Sequence, residues 1–77
     1  MTDERLVEGC LKGDPSAQKA LYQQYARKMM SICMRYAHNR DQAQDILQDG
    51  FVKVFQKMDH YRGDGPLGGW IARTMVN

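Results

Sequence analysis

The stretch that most constrains the fold is DQAQDILQDGFVKVFQKM, residues 41–58. Ala43, Ile46, Leu47, Gly50, Phe51, Val54, Phe55 and Met58 recur at steps of one, three and four, the spacing that gathers side chains on one face of an α-helix. The pattern predicts a helix from Asp41 to Met58. Gly50 falls inside that face, where glycine costs about 1 kcal/mol relative to alanine. A glycine kept on a buried face predicts close approach of a neighbouring helix, one that brings Tyr25 or Tyr36 against it.

The rest of the chain divides into similar pieces. Leu6, Val7, Cys10 and Leu11 form one side of a short helix that starts near Asp3, and Gly13 ends it. Asp14 followed by Pro15 marks the next start, because Asp caps and Pro is pre-set for a first helical turn. The second helix is predicted from Pro15 to about Ala37, with Ala17, Leu21, Tyr25, Met29, Ile32 and Tyr36 in its apolar stripe. HNRD interrupts it, and Asp41 with Gln44 resembles a capping pair for the third helix. DHYRGDGPLGG, rich in glycine, predicts a loop. WIARTMVN resumes helical character as far as Asn77. With no repeat and no strand pattern, the expectation is an all-α fold, a small three- to four-helix bundle, as one domain over residues 1–77.

Seventy-seven residues bury only a thin core, since a chain of this size hides roughly 60% of its unfolded surface. Cys10 and Cys33, far apart and outside any CxxC or Cys/His cluster, are expected as buried free thiols. No apolar run approaches the ~20 residues that span a bilayer. The opening MTDERLVEGC is polar and acidic where a secretion signal is basic and then apolar, so no membrane association and a cytoplasmic location are expected. His38 and His60 are the only histidines. With no nucleophile and base set and no helical metal-ligand pattern, neither enzyme activity, a metal nor a cofactor is expected.

Charge is unevenly distributed. Between Pro15 and Arg40 stand Lys19, Arg27, Lys28, Arg35 and Arg40 with no acid, and then Asp41, Asp45 and Asp49 follow. At about 100° per residue, Asp45, Gln48, Asp49, Val52 and Gln56 gather opposite the apolar face of the third helix. Two readings stay open from these residues. The acids can favour the positive end of a helix, which explains Asp41 and explains Asp49 poorly. Alternatively the stripe is a protein-docking face, with Val52 as an apolar spot among polar groups.

DQAQDILQDGFVKVFQKMDHYRGDGPLGGWIARTMVN resembles region 2 of a bacterial RNA polymerase sigma factor of the extracytoplasmic-function (ECF) group. That family carries an Ala-x-Asp-hydrophobic-hydrophobic-Gln-acidic-x-Phe run, matched by Ala43, Asp45, Ile46, Leu47, Gln48, Asp49 and Phe51. It also carries a Trp-hydrophobic pair followed by Asn, matched by Trp70, Ile71 and Asn77, and the opening GDPSAQKALYQQY fits its second helix. GPLGGW departs from the pattern at Gly68 and Gly69, where relatives often have larger or charged residues, and this loosens the expected start of the last helix.

The resemblance implies transcription initiation: a promoter-recognition and DNA-binding domain that also binds RNA polymerase. Its core-polymerase-binding residues would be Asp45, Gln48, Asp49, Val52 and Gln56, docking on the clamp helices of the largest subunit. The loop would capture a base flipped from the non-template strand of the promoter minus-ten element. Tyr61 suits stacking, Arg62 phosphate, and His60 or Asp64 base edges, while the loop glycines let backbone approach DNA. Trp70 is expected to anchor the loop, Arg73 to meet phosphate, Asn77 a base or backbone group, and Lys57, with Lys53, to lie on the DNA approach. The resemblance also implies an anti-sigma factor as partner and an isolated promoter-melting fragment without the family's second, helix-turn-helix domain. The competing reading is a small helical adaptor whose acidic stripe binds a basic protein, with no DNA involved.

Overall fold

The computed structural model describes residues 2–76. Among them the chain forms four α-helices, α1 (Asp3–Leu11), α2 (Pro15–Met34), α3 (Arg40–Gln56) and α4 (Leu67–Val76), with a single 3-10 turn at Met58–His60 and no strand. α2 and α3 pack along each other, α1 lies on α2 and on the 3-10 turn, and α4 packs chiefly on α3. The predicted all-α bundle is the architecture found.

Each helix boundary has a local cause. Thr2 Oγ1 accepts from Arg5 N–H at 3.3 Å and caps α1. At its end, Gly13 N–H donates to Cys10 O at 3.1 Å and Asp14 N–H to Gly9 O at 2.9 Å. That pair of bonds needs a left-handed residue between them, and Gly13 supplies it at φ 75°. Asp14 Oδ1 then accepts from Ser16 N–H at 2.9 Å and from Ser16 Oγ–H at 2.8 Å to start α2. These bonds hold the Asp14 carboxyl below the usual carboxylate range.

The second and third helices meet differently from expectation. α2 closes at Met34 rather than near Ala37, because Arg35 N–H and Tyr36 N–H turn to the carbonyls of Ile32 and Cys33, both at 3.0 Å. This tightened turn swings Tyr36 out of the apolar stripe, to 64% exposure. The cap of α3 is Asn39 instead of Asp41: its Oδ1 accepts from Gln42 N–H at 2.8 Å, while Gln42 Oε1 accepts from His38 N–H at 2.6 Å. The reciprocal pair expected at 41 and 44 therefore sits two residues earlier. α3 stops at Gln56, and Met58 is buried from the 3-10 turn instead of the helix.

The core runs through all four helices, from Leu6 on α1 and Leu21 on α2 to Phe51 on α3 and Ile71 on α4. Tyr22 and Phe51 join α2 to α3 with ring centroids 4.9 Å apart at 58°. Cys10 and Cys33 are buried free thiols, and burial pushes both thiols up from their ordinary pKa. Gly50 is buried as expected, but its neighbour is neither tyrosine. Met75 of α4 lies there, and a Cβ on residue 50 would collide with its Cγ. α4 itself starts at Leu67, ahead of Gly68 and Gly69. Gly68 faces the ring of Tyr25, with only 3.2 Å between a Cβ at that position and Tyr25 Cε1.

Candidate nucleic-acid and protein interfaces

Two surfaces carry the residues singled out in the sequence. The first is the outer side of α3, where burial of Ala43, Leu47, Gly50, Phe51 and Val54 turns the opposite side to solvent. Asp45, Gln48, Asp49, Val52 and Gln56 are all exposed there. Val52 is 53% exposed, one of few large apolar residues so open among those described. Neither Asp45 nor Asp49 has a cationic partner at ion-pair distance among the described residues. The acid-free run is also exposed at Lys19, Arg27, Lys28, Arg35 and Arg40, and Arg27 and Arg40 flank a groove over Met30 and Leu47 between α2 and α3.

The second surface is built where the chain leaves α3 and enters α4. The 3-10 turn redirects the backbone, and Gly63 at φ 76° turns it again. Tyr61 O–H donates to Gly65 O at 2.6 Å and draws the loop into a closed arc. The Tyr61 ring packs on Trp70, centroids 5.5 Å apart at 55°. Trp70 is half-buried and sits against the core, so the indole serves as the anchor expected of it.

A recess of about 330 Å³ brings His60, Tyr61, Arg62, Asp64 and Arg73 together beside Trp70. Five of the predicted DNA-contacting residues thus share one concave site. Its edges offer a cationic pair, Arg62 and Arg73, a carboxylate, an imidazole and an aromatic face. His60 Nε2 lies 3.9 Å from Asp59 Oδ1, a loose contact between exposed groups. Lys57 is exposed just after α3 and does not line the recess. Lys53 is exposed on α3. Asn77 lies outside the described residues.

The sequence pattern missed the contribution of α1. Asp3, Glu4 and Val7 border a second recess whose other wall is Tyr61, Arg62 and Gly63. Tyr25, expected only in a core stripe, donates its O–H to Asp3 Oδ1 at 2.9 Å. Burial first, and then the Asp3 carboxylate, push the Tyr25 hydroxyl up to about 12. Partners 22 positions apart leave no local signal.

Comparison with known proteins agrees with this geometry. The chain is 36% identical over 77 residues to the ECF RNA polymerase sigma-E factor of Escherichia coli (strain K12), covering 100% of this chain and 40% of that protein. It is 32% identical over 75 residues to the RNA polymerase sigma-H factor of Pseudomonas aeruginosa, covering 97% of this chain and 39% of that one. The chain therefore spans about two fifths of the length of these curated relatives. Among solved structures, it resembles the NMR structure of an engineered region 2 of sigmaE in complex with GTAAAA, with a TM-score of 0.86, 32% identity, and coverage of 100% of this chain and 80% of that one. The Sigma-70 region 2 family matches residues 21–77, which take in α3, the loop and the recess, and to that family the chain belongs.

Proposed function

We propose that this domain acts in transcription initiation, docking on core RNA polymerase through the outer side of α3 and holding a non-template base of the promoter minus-ten element in the loop recess. The observation that carries the reading is the convergence of Tyr61, Arg62, Asp64 and Arg73 in one concave site beside Trp70. A 32% identical fold was solved with GTAAAA, which supports an oligonucleotide as the ligand of this site. Arg62 and Arg73 neutralise phosphates, the Tyr61 ring stacks on a base that the loop backbone encloses, and His60 or Asp64 addresses its polar edge. Lys57 attracts DNA toward the site, and the family pattern adds Asn77 as a further DNA contact.

For the polymerase, Asp45, Gln48 and Asp49 offer charge and hydrogen-bond acceptors to basic side chains of the clamp helices, while Val52 and Gln56 extend the face by an apolar and a polar contact. The domain is a binding module without a catalytic step, works in the cytoplasm, and is held in check by an anti-sigma factor that covers one of these surfaces. No helix of the described residues is long and apolar enough to cross a membrane, which fits that setting.

Fluorescence anisotropy tests the DNA half of the proposal with labelled non-template strand, template strand and duplex of a minus-ten element. Tightest binding to the non-template strand is expected, because a loop without a groove-reading helix gains little from closed duplex while unstacking a base costs a few kcal/mol. Equal binding to all three, or tightest binding to duplex, rejects base capture and favours the helical adaptor with its acidic docking stripe.

A further inference from the structure

The N-terminal helix lies before residue 21, where the family match begins, and its buried residues Leu6 and Cys10 give it a role in packing. Its first residue, Asp3, accepts from Tyr25 O–H at 2.9 Å and from Gln24 Nε2–H at 3.4 Å. The ring of the same tyrosine faces Gly68, where a Cβ would already stand 3.2 Å from Tyr25 Cε1. Gly68 is the second residue of α4 and lies two before Trp70. Trp70 in turn carries the ring of Tyr61, 5.5 Å away.

We infer that Asp3 and Tyr25 form a latch that positions the DNA loop, so that α1 serves base capture through residues that touch no DNA. The inference rests on the loop being the base-holding site. Four segments distant in sequence, at residues 3, 25, 68–70 and 61, are linked in one line of contact that ends at the recess. Leu67 ties the first residue of α4 to the core, and at Gly68, where α4 has no side chain of its own, the Tyr25 ring fills the space. The hydroxyl is then what sets the ring: a phenyl group in the same place fills the volume but is free to slide along α4. Asp3 fixes it, because its carboxylate accepts from both Tyr25 and Gln24, and a charge-assisted hydrogen bond is stronger than a neutral one. Tyr25 and Asp3 are thus positioning residues for the recess, with Gly68 as the surface on which they act.

The test uses the full chain and three measurements on each variant: anisotropy with labelled GTAAAA, capture on core RNA polymerase, and the emission of Trp70, the only tryptophan. Tyr25→Phe and Asp3→Ala are each expected to weaken GTAAAA binding roughly three- to tenfold, the range of one hydrogen bond. Polymerase capture should stay at the wild-type level, and Trp70 emission should shift. Asp3→Asn, which keeps an acceptor, should recover most of the affinity, and the double variant Tyr25→Phe with Asp3→Ala should bind no worse than either single one. Unchanged GTAAAA binding in Tyr25→Phe overturns the latch, as do parallel losses of DNA and polymerase binding, which mark a purely structural role. A wild-type chain that fails to bind GTAAAA overturns the base-holding reading together with the latch, whereas wild-type binding with indifferent variants overturns the latch alone.

Discussion

Met75 of α4 lies over the bare Cα of Gly50 on α3, and its Sδ accepts the Cys33 thiol of α2 at 3.7 Å. Three helices therefore meet where one residue has no side chain and the other two have soft, polarisable sulfur. A flexible thioether fills such a gap in a way that a branched residue does not. α3 and the helix that follows the loop are joined at this point, so the packing that turns Gln48 and Asp49 outward also seats α4.

Replacement of Gly50 by Leu should cost about 1–3 kcal/mol, the usual range for overpacking. In a domain this small each kcal/mol lowers the melting temperature by roughly 4–8 °C. Pairing it with Met75→Ala should return part of the loss, since the two side chains compete for one space. Thermal melting followed by circular dichroism measures both, and a single variant that melts at or above wild type contradicts the Gly50–Met75 contact.

The outer face of α3 predicts a separation of stability from binding. Gln48→Ala combined with Asp49→Lys should leave the helical signal and the melting curve near wild type, because both residues are exposed. Core-polymerase affinity should fall by tenfold or more, about 1.4 kcal/mol, as a carboxylate becomes a like charge to a basic partner. Undiminished pull-down with core enzyme would place the docking face elsewhere.

At the recess, Tyr61→Ala should remove both the ring that packs on Trp70 and the hydroxyl that closes the loop on Gly65. Preference for the non-template strand over duplex should shrink, by an amount near the ~1–3 kcal/mol of one base stacked on an aromatic ring. Arg62→Ala should act differently, flattening the salt dependence of binding by about 0.7 in log-log slope, the change expected when one phosphate of a single strand is no longer neutralised. A salt slope identical to wild type would remove Arg62 from the phosphate path.

Alkaline pH offers a check on Tyr25. Its hydroxyl, ordinarily near 10.0, is pushed up to about 12 by burial and by Asp3 from α1, with Tyr61 across the loop acting in the same sense. Since the folded chain holds this proton more tightly than the unfolded one, the linked stability is fully present below pH 10 and drains away as pH rises toward 12. Between those values wild type should lose stability more steeply than Tyr25→Phe, as read from urea midpoints. Parallel curves for the two proteins would show that Tyr25 titrates normally.

Periodicity placed α1, α2, α3 and the inward position of Gly50, because burial on one side of a helix leaves a pattern at steps of three and four that needs no partner to be read; α4 begins at Leu67, three residues inside the stretch read as loop. The same pattern, taken from the other side, already placed Asp45, Gln48 and Asp49 in solvent, where they are found exposed. Helix ends were legible where a local residue makes them, as at Gly13 and Asp14, and misplaced where a nearby residue of similar capping chemistry takes the role, as Asn39 does in place of Asp41. Tyr36 shows the same limit: it fits the wheel of an ideal helix, and only the turn after Met34 puts it outside.

What touches Gly50 could not be read from the chain, because Met75 is 25 positions away and nothing along the sequence favours it over Tyr25 or Tyr36. The gathering of His60, Arg62, Asp64 and Arg73 beside Trp70 likewise depends on how the loop closes through Tyr61 and Gly65. Asp3 and Tyr25 give no local sign of each other, since each would cap or pack acceptably alone. Local pattern reports which side of a helix is buried; which partner covers that side, and which loop residues then share a site, are set by packing among elements distant in sequence, where shape and volume decide.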